Sequence, residues 1–189
     1  DVAPSRGLGD VYKRQAYGKP TKITDYCKTI YYDLKVLTSI KNILKKDEKR
    51  ALLISATGTG KTYASAFAMR ELGFKRVLFI VHRASLAVQA KKSYQRVFGN
   101  SVSMGLVGAG YYEYDKDYVF ATVETLNKDA HLQRYKADDF DCIILDEAHH
   151  SSANTYQKVM NYFTPRLFLG MTATPDKSCL LYTSDAADE

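Results

Sequence analysis

The sequence predicts an α/β fold, a doubly wound and mainly parallel sheet with helices on both faces. Three observations carry this. Apolar runs of strand length alternate with segments of helical period, the sign of βαβ units. The runs are continuous rather than alternating, as strands covered on both faces require. Three polar motifs, Ser55-Ala-Thr-Gly-Thr-Gly-Lys-Thr62, Asp146-Glu-Ala-His149 and Thr172-Ala-Thr174, each follow such a run. That is where ligands of open parallel sheets gather, at the carboxyl ends of the strands.

The elements follow in order. Leu34, Leu37, Ile40 and Leu44 form the apolar stripe of an early helix. Lys45-Lys-Asp-Glu-Lys-Arg50 reads as a solvated loop. Ala51–Ile54 is the first strand, and Lys61–Leu72 the helix after its glycine-rich turn. Val77–Val81 and Ala84–Phe98 repeat the pattern, and Tyr118–Ala121, Cys142–Leu145 and Leu167–Leu169 supply further strands. Tyr118 packs as a strand residue, while Tyr111, Tyr112 and Tyr114 read as a polar loop after Gly108-Ala-Gly110 that covers the surface. Stacking of unpaired bases on these rings is the weaker reading, because no basic residues are interleaved to track a strand.

The first motif has strand before and helix after, the context that a phosphate-binding loop requires. Its backbone N–H groups can surround phosphate oxygens, Lys61 can meet the β- and γ-phosphates, and the Thr62 hydroxyl can reach Mg²⁺. A plain glycine-rich turn would explain the glycines alone. It gives no reason for Lys61 at a helix start, where a cation opposes the helix dipole unless an anion is bound. Ser55 stands where the usual pattern has its first glycine.

Asp146 could merely cap the next helix. That reading leaves two adjacent carboxylates after a buried strand unexplained. Asp146 is therefore assigned to Mg²⁺ and Glu147 to polarising the attacking water, since phosphoryl transfer is catalysed mainly by positioning and charge neutralisation. His149 and His150 lack a third ligand at zinc-site spacing.

The two ends read differently. Back-translated with one choice of codons, Asp10–Gln15 gives on the opposite strand, one base out of frame, Cys-Leu-Leu-Tyr-Thr-Ser, which is Cys179–Ser184. Ser5–Gln15 and Cys179–Glu189 resemble translated sequencing adapters, so residues 1–15 and 179–189 are expected to be non-native, leaving 16–178 as a truncated motor domain. Without them Lys+Arg is 24 and Asp+Glu 16, so the net charge rises from +6 to +8, which suits a partner with a phosphate backbone. Cys27 and Cys142 form no disulfide framework, and Cys142 sits in an apolar run as a small hydrophobe. No apolar stretch approaches a membrane span and no signal peptide is recognisable, so a cytoplasmic location is expected.

On these residues the chain resembles the first, ATP-binding domain of superfamily 2 helicases of the DEAD/DEAH type, above all the group of restriction-enzyme R subunits. The resemblance rests on Ala56-Thr-Gly-Thr-Gly-Lys-Thr62, Val81-His-Arg-Ala-Ser-Leu86 with Gln89, Ala121-Thr-Val-Glu-Thr-Leu126, Asp146-Glu-Ala-His-His150 and Met171-Thr-Ala-Thr-Pro175. It implies a RecA-like P-loop NTPase fold and ATP with Mg²⁺ as cofactors. The ATP cradle would be Ala56, Thr57, Gly58, Thr59, Gly60, Lys61 and Thr62. Thr62 and Asp146 would hold the metal, with Lys61, Asp146 and Glu147 catalytic. His149, Thr172 and Thr174 would couple nucleotide state to movement, and Arg83, Thr122 and Thr125 would lie along a nucleic-acid backbone, with helix-cap roles as the plainer alternative.

The implied activity is ATP hydrolysis coupled to translocation on, or unwinding of, nucleic acid, most of all DNA. An RNA helicase and a non-hydrolysing, ATP-controlled binding module are the alternatives. The Asp146–Glu147 pair favours an enzyme, since a switch has no need of a water-positioning carboxylate. Such helicases hold the nucleotide between two RecA-like domains, the second supplying an arginine finger. The chain alone is therefore expected to be nearly inactive. A nuclease or methyltransferase partner is open, and residues 16–32 do not clearly supply an adenine-reading glutamine motif.

Overall fold

The computed structural model describes residues 35–55, 59–147 and 154–173. A helix over 35–45, α1, precedes strand β1 (Arg50–Ile54). Then come α2 (Lys61–Leu72), β2 (Val77–Val81) and α3 (Ala84–Phe98). The hairpin β3 (Met104–Gly108) and β4 (Tyr111–Tyr112) leads into β5 (Tyr118–Thr122) and two short helices, α4 (Val123–Leu126) and α5 (Asp129–Leu132). β6 (Cys142–Asp146), α6 (Asn154–Tyr162) and β7 (Leu167–Thr172) follow.

The strands lie in the order β1-β7-β6-β2-β5-β3-β4, every pair parallel except β3 with β4. The chain steps from β1 across to β2 and β3, then turns back through β5 and β6 to β7. With the right-handed crossover that parallel strands favour, this reversal moves the later helices to the opposite face. Alternate strand residues accordingly feed two cores. Val77, Phe79, Phe120 and Ile144 pack with Ile40, Met69, Tyr94 and Val97 of α1, α2 and α3. Leu78, Ile80, Val119 and Leu145 pack with Val123, Leu126, Leu132 and Val159 beneath α4, α5 and α6.

Helices α2 and α3 have the boundaries that the periodicity predicts. Gly73 ends α2 at φ 68°, and the Phe74 N–H returns to the Met69 carbonyl at 3.2 Å, a left-handed cap that glycine adopts without strain. All five expected strands form. Cys142 is fully buried, and that burial pushes its thiol well above the usual range. Leu34 and Cys27 lie outside the described residues.

Two strands were not expected. Met104-Gly-Leu-Val-Gly108 is short and flanked by glycine, yet all its residues are buried between β5 and β4. Tyr111–Tyr112, expected as loop, pairs with Val107 and Gly108 as an edge strand. Among the described residues no helix is long and apolar enough to cross a membrane.

Candidate active site

The register decides which chain ends meet. Ile54 pairs with Thr172 and Met171 with Asp146, so β1, β7 and β6 finish level on the carboxyl rim. One intervening strand separates β1 from β6, about 10 Å at the usual strand spacing. Ser55 continues β1, its N–H donating to the Thr172 carbonyl at 3.0 Å, and Thr172 itself is completely buried.

The turn then enters α2. Gly60 is left-handed, at φ 84°, directly before Lys61. Ser55 Oγ and Thr59 Oγ1 lie 2.7 Å apart, and Lys61 Nζ donates to the Ser55 carbonyl at 2.7 Å. Among the described residues no side chain caps α2, and its first turn has no carboxylate. A helix start of this kind, with N–H groups and the positive end of the dipole together, receives anions. Behind it, Ser65 Oγ donates to the Thr62 carbonyl at 2.8 Å and meets the Tyr94 hydroxyl at 2.8 Å, tying α2 to α3 in the interior.

Asp146 ends β6 and Glu147 follows it. Burial raises the Asp146 carboxyl above its ordinary range, and the Glu147 charge acts in the same sense. The Glu147 N–H and the charges of Lys61 and His82 oppose them. Glu147 adopts φ 56°, a left-handed conformation unusual for a residue with a side chain. Strain of that kind gathers at functional sites.

Lys61, Thr62, Asp146 and Glu147 line one cleft of about 340 Å³, with His82 and Gln89 on its α3 side. The Thr62 hydroxyl and the Asp146 carboxylate are hard oxygen donors suited to Mg²⁺, and the buried carboxylate is one that a cation would stabilise. The donor set therefore fits the metal. Ala56, Thr57, Gly58, His149 and Thr174 lie outside the described residues.

The remaining sites fall along the same rim. Arg83 is exposed at the start of α3, and its carbonyl accepts from the Leu86 and Ala87 N–H groups. Val81 pairs with Thr122, so Arg83 and Thr122 leave adjacent strands. Thr122 is buried, its hydroxyl donating to Thr125 Oγ1 at 2.9 Å, while Thr125 is half-buried. Neither threonine side chain makes a cap bond to α4; Thr122 occupies the cap position without one. A Cβ on Gly108, at φ 128°, would stand 2.7 Å from Thr122 Oγ1, so the hairpin backbone rests directly on this pair.

Sequence reasoning assigned no role to His82 or Gln89, or to Ser93, which also faces the cleft. Gln89 and Ser93 are one turn apart on α3, beside its buried Ala90, and that polar spacing was a readable signal. Nothing in the sequence announces the Ser65–Tyr94 contact.

Residues 26–177 match the family described as "Type III restriction enzyme, res subunit". A Type I restriction enzyme EcoAI endonuclease subunit of Escherichia coli is 30% identical over 166 residues, covering 82% of this chain and 20% of that protein. A putative ATP-dependent helicase, IRC3, of Saccharomyces cerevisiae is 31% identical over 145 residues, covering 70% of this chain and 20% of its own. The chain thus spans about a fifth of these relatives.

Among solved structures, a nuclease-deletion mutant of the Type ISP restriction-modification enzyme LlaGI with a DNA substrate mimic aligns with a TM-score of 0.62 at 21% identity. It covers 82% of this chain and 18% of that one. The Sulfolobus solfataricus SWI2/SNF2 ATPase core with dsDNA aligns at 0.65 and 15% identity, covering 79% and 33%. At such identities the likeness concerns the fold alone, a RecA-like sheet. The family match over most of the chain decides its membership: the protein belongs to the Type III restriction enzyme res-subunit family.

Proposed function

We propose that this chain is the ATP-binding part of a nucleic-acid motor, hydrolysing ATP to drive translocation on, or unwinding of, DNA in a longer parent protein. The observation that supports this most is the shared cleft. The Lys61 helix start and the Asp146–Glu147 pair, 85 residues apart in sequence, line the same 340 Å³ space. A triphosphate there would meet the N–H groups of α2 and the Lys61 ammonium, which together neutralise its charge. Thr62 and Asp146 would hold Mg²⁺, which when bound draws charge from the phosphate oxygens. Glu147 would accept a hydrogen bond from the attacking water and orient it.

Thr172, with His149 and Thr174, would pass the state of this site to a second RecA-like domain in cis. The Ser55–Thr172 backbone bond gives that role a physical route. Arg83, Thr122 and Thr125 would follow the phosphate backbone, contacts that position without reading sequence. A DNA substrate and a nuclease or methyltransferase domain or subunit are supported by relatives named as restriction enzymes. A cytoplasmic location fits such a role. The family match also lies inside the segment 16–178 read as native.

The test is ATP turnover by the intact parent without polymer, with duplex DNA, with single strands and with RNA. DNA-stimulated turnover is expected. Stimulation by RNA alone would move the reading to an RNA helicase, and ATP binding without turnover under every condition would make it a binding module.

A further inference from the structure

Tyr114 and His131 share a hydrogen bond of 2.5 Å between the phenol oxygen and Nδ1, with ring planes 19° apart and centroids at 6.2 Å. So short an edge contact leaves no room for a face-to-face stack, and the two rings lie side by side as one slab. Tyr112 is parallel to His131 within 2° at 5.3 Å and inclined 21° to Tyr114 at 6.3 Å. Its backbone is pinned to Val107 in the β3–β4 hairpin, yet the residue is 56% exposed. The Arg134 guanidinium sits over the Tyr114 ring at 5.4 Å.

We propose that the Tyr112 ring, held by the Tyr114–His131 slab, is a stacking platform for an unpaired base of the nucleic acid. This deepens the nucleic-acid reading above and rests on it. The cluster looked unsuited to that role in the sequence because no basic residue is interleaved among Tyr111, Tyr112 and Tyr114. The fold brings one there from the turn after α5, the exposed Arg134 over the Tyr114 ring. Nearby carboxylates are engaged: Glu113 accepts from the Leu106 N–H at 2.9 Å and from Lys91 at 3.5 Å, and Asp129 pairs with Lys158 at 2.8 Å. Asp115 is exposed in the same loop, with Lys116 beside it in sequence.

Position argues the same way. Gly108 rests on Thr122 and Thr125, so the hairpin turn lies on the rim where Arg83 stands, and Tyr112 follows on β4, one residue in from that turn and opposite Val107. An aromatic face takes any base, as a motor that does not read sequence needs. Rings already locked in place lose little freedom on binding.

The experiment uses the 189-residue chain, a labelled oligothymidylate and the same oligomer made wholly of abasic residues, with dissociation constants followed by anisotropy against salt. Tyr112→Ala is expected to weaken oligothymidylate binding by about 5- to 160-fold, the measured worth of one stacked base. Abasic binding and the salt slope should stay as in wild type, and Tyr112→Phe should keep wild-type affinity. Arg134→Ala should instead lower the salt slope by about 0.7.

Should Tyr112→Ala unfold, Tyr112→Leu, apolar but without a ring plane, takes its place. Equal affinity of that variant and wild type, or an equal loss on the abasic oligomer, overturns the platform while leaving the motor reading intact. A wild-type chain that binds neither oligomer also overturns the platform, while the motor reading stands or falls on ATP turnover by the intact parent.

Discussion

The Lys61 ammonium donates to the Ser55 carbonyl at 2.7 Å, bridging the turn that it would use to hold phosphate. The cation thus has a partner within the turn itself, and that bond helps hold the turn in shape. Lys61→Met should remove it at a cost of about 1.5–3 kcal/mol, the range for hydrogen bonds to charged groups, and should abolish MgATP binding. Urea midpoints and titration with a fluorescent ATP analogue measure the two effects. Undiminished nucleotide affinity would take Lys61 out of the site.

Glu147→Gln keeps side-chain size and the same left-handed backbone, so stability and ATP affinity should be unchanged. Hydrolysis by the parent should fall about 10²–10⁴-fold if the carboxylate activates water. Wild-type turnover in this variant would assign the water to another group.

Ser65 and Tyr94 are both fully buried, and their two substitutions should differ. Ser65→Ala leaves the Tyr94 hydroxyl without its partner, at about 1–3 kcal/mol. Tyr94→Phe leaves Ser65 still donating to the Thr62 carbonyl, so the loss should be nearer about 0.5–1.5 kcal/mol. Burial keeps the Tyr94 phenol protonated across the working range, so the ordering should not change with pH. Denaturant melts of both variants decide it, and a larger loss in Tyr94→Phe would contradict the assigned direction of donation.

Asp117 accepts from Ser103 Oγ at 2.6 Å and from the Ser103 N–H at 3.0 Å, and these bonds hold its carboxyl below the ordinary value. A group depressed in this way stabilises the fold above its unfolded pKa, about 4, and loses that contribution as pH falls through the lower folded value. Asp117→Asn should therefore lower stability at neutral pH and flatten its fall in acid below about pH 4. Urea midpoints at neutral and acid pH test this. An unaltered acid slope would show that other carboxylates, such as Glu113 bonded to the Leu106 N–H, carry the effect.

Much of this was legible because the signals are local. The continuous apolar runs of β2, β5 and β6 and the helix starts at Lys61 and Ala84 need only neighbouring residues to declare themselves. The motifs after those strands, and the chemistry they offer a triphosphate, were equally written in the chain. Tertiary structure alone decided the rest. β4 is two residues long, and nothing but its pairing with β3 makes it a strand.

The Ser65–Tyr94 contact and the arrival of Arg134 and His131 beside Tyr112 and Tyr114 join residues 17 to 29 positions apart. The placing of Asp146 across β7 from Ile54 likewise depends on strand order, which no short window encodes. Local sequence sets what each segment can be, because backbone propensity and hydrophobic period act over a few residues. Which segments face one another is set by how the whole chain buries its apolar surface at once.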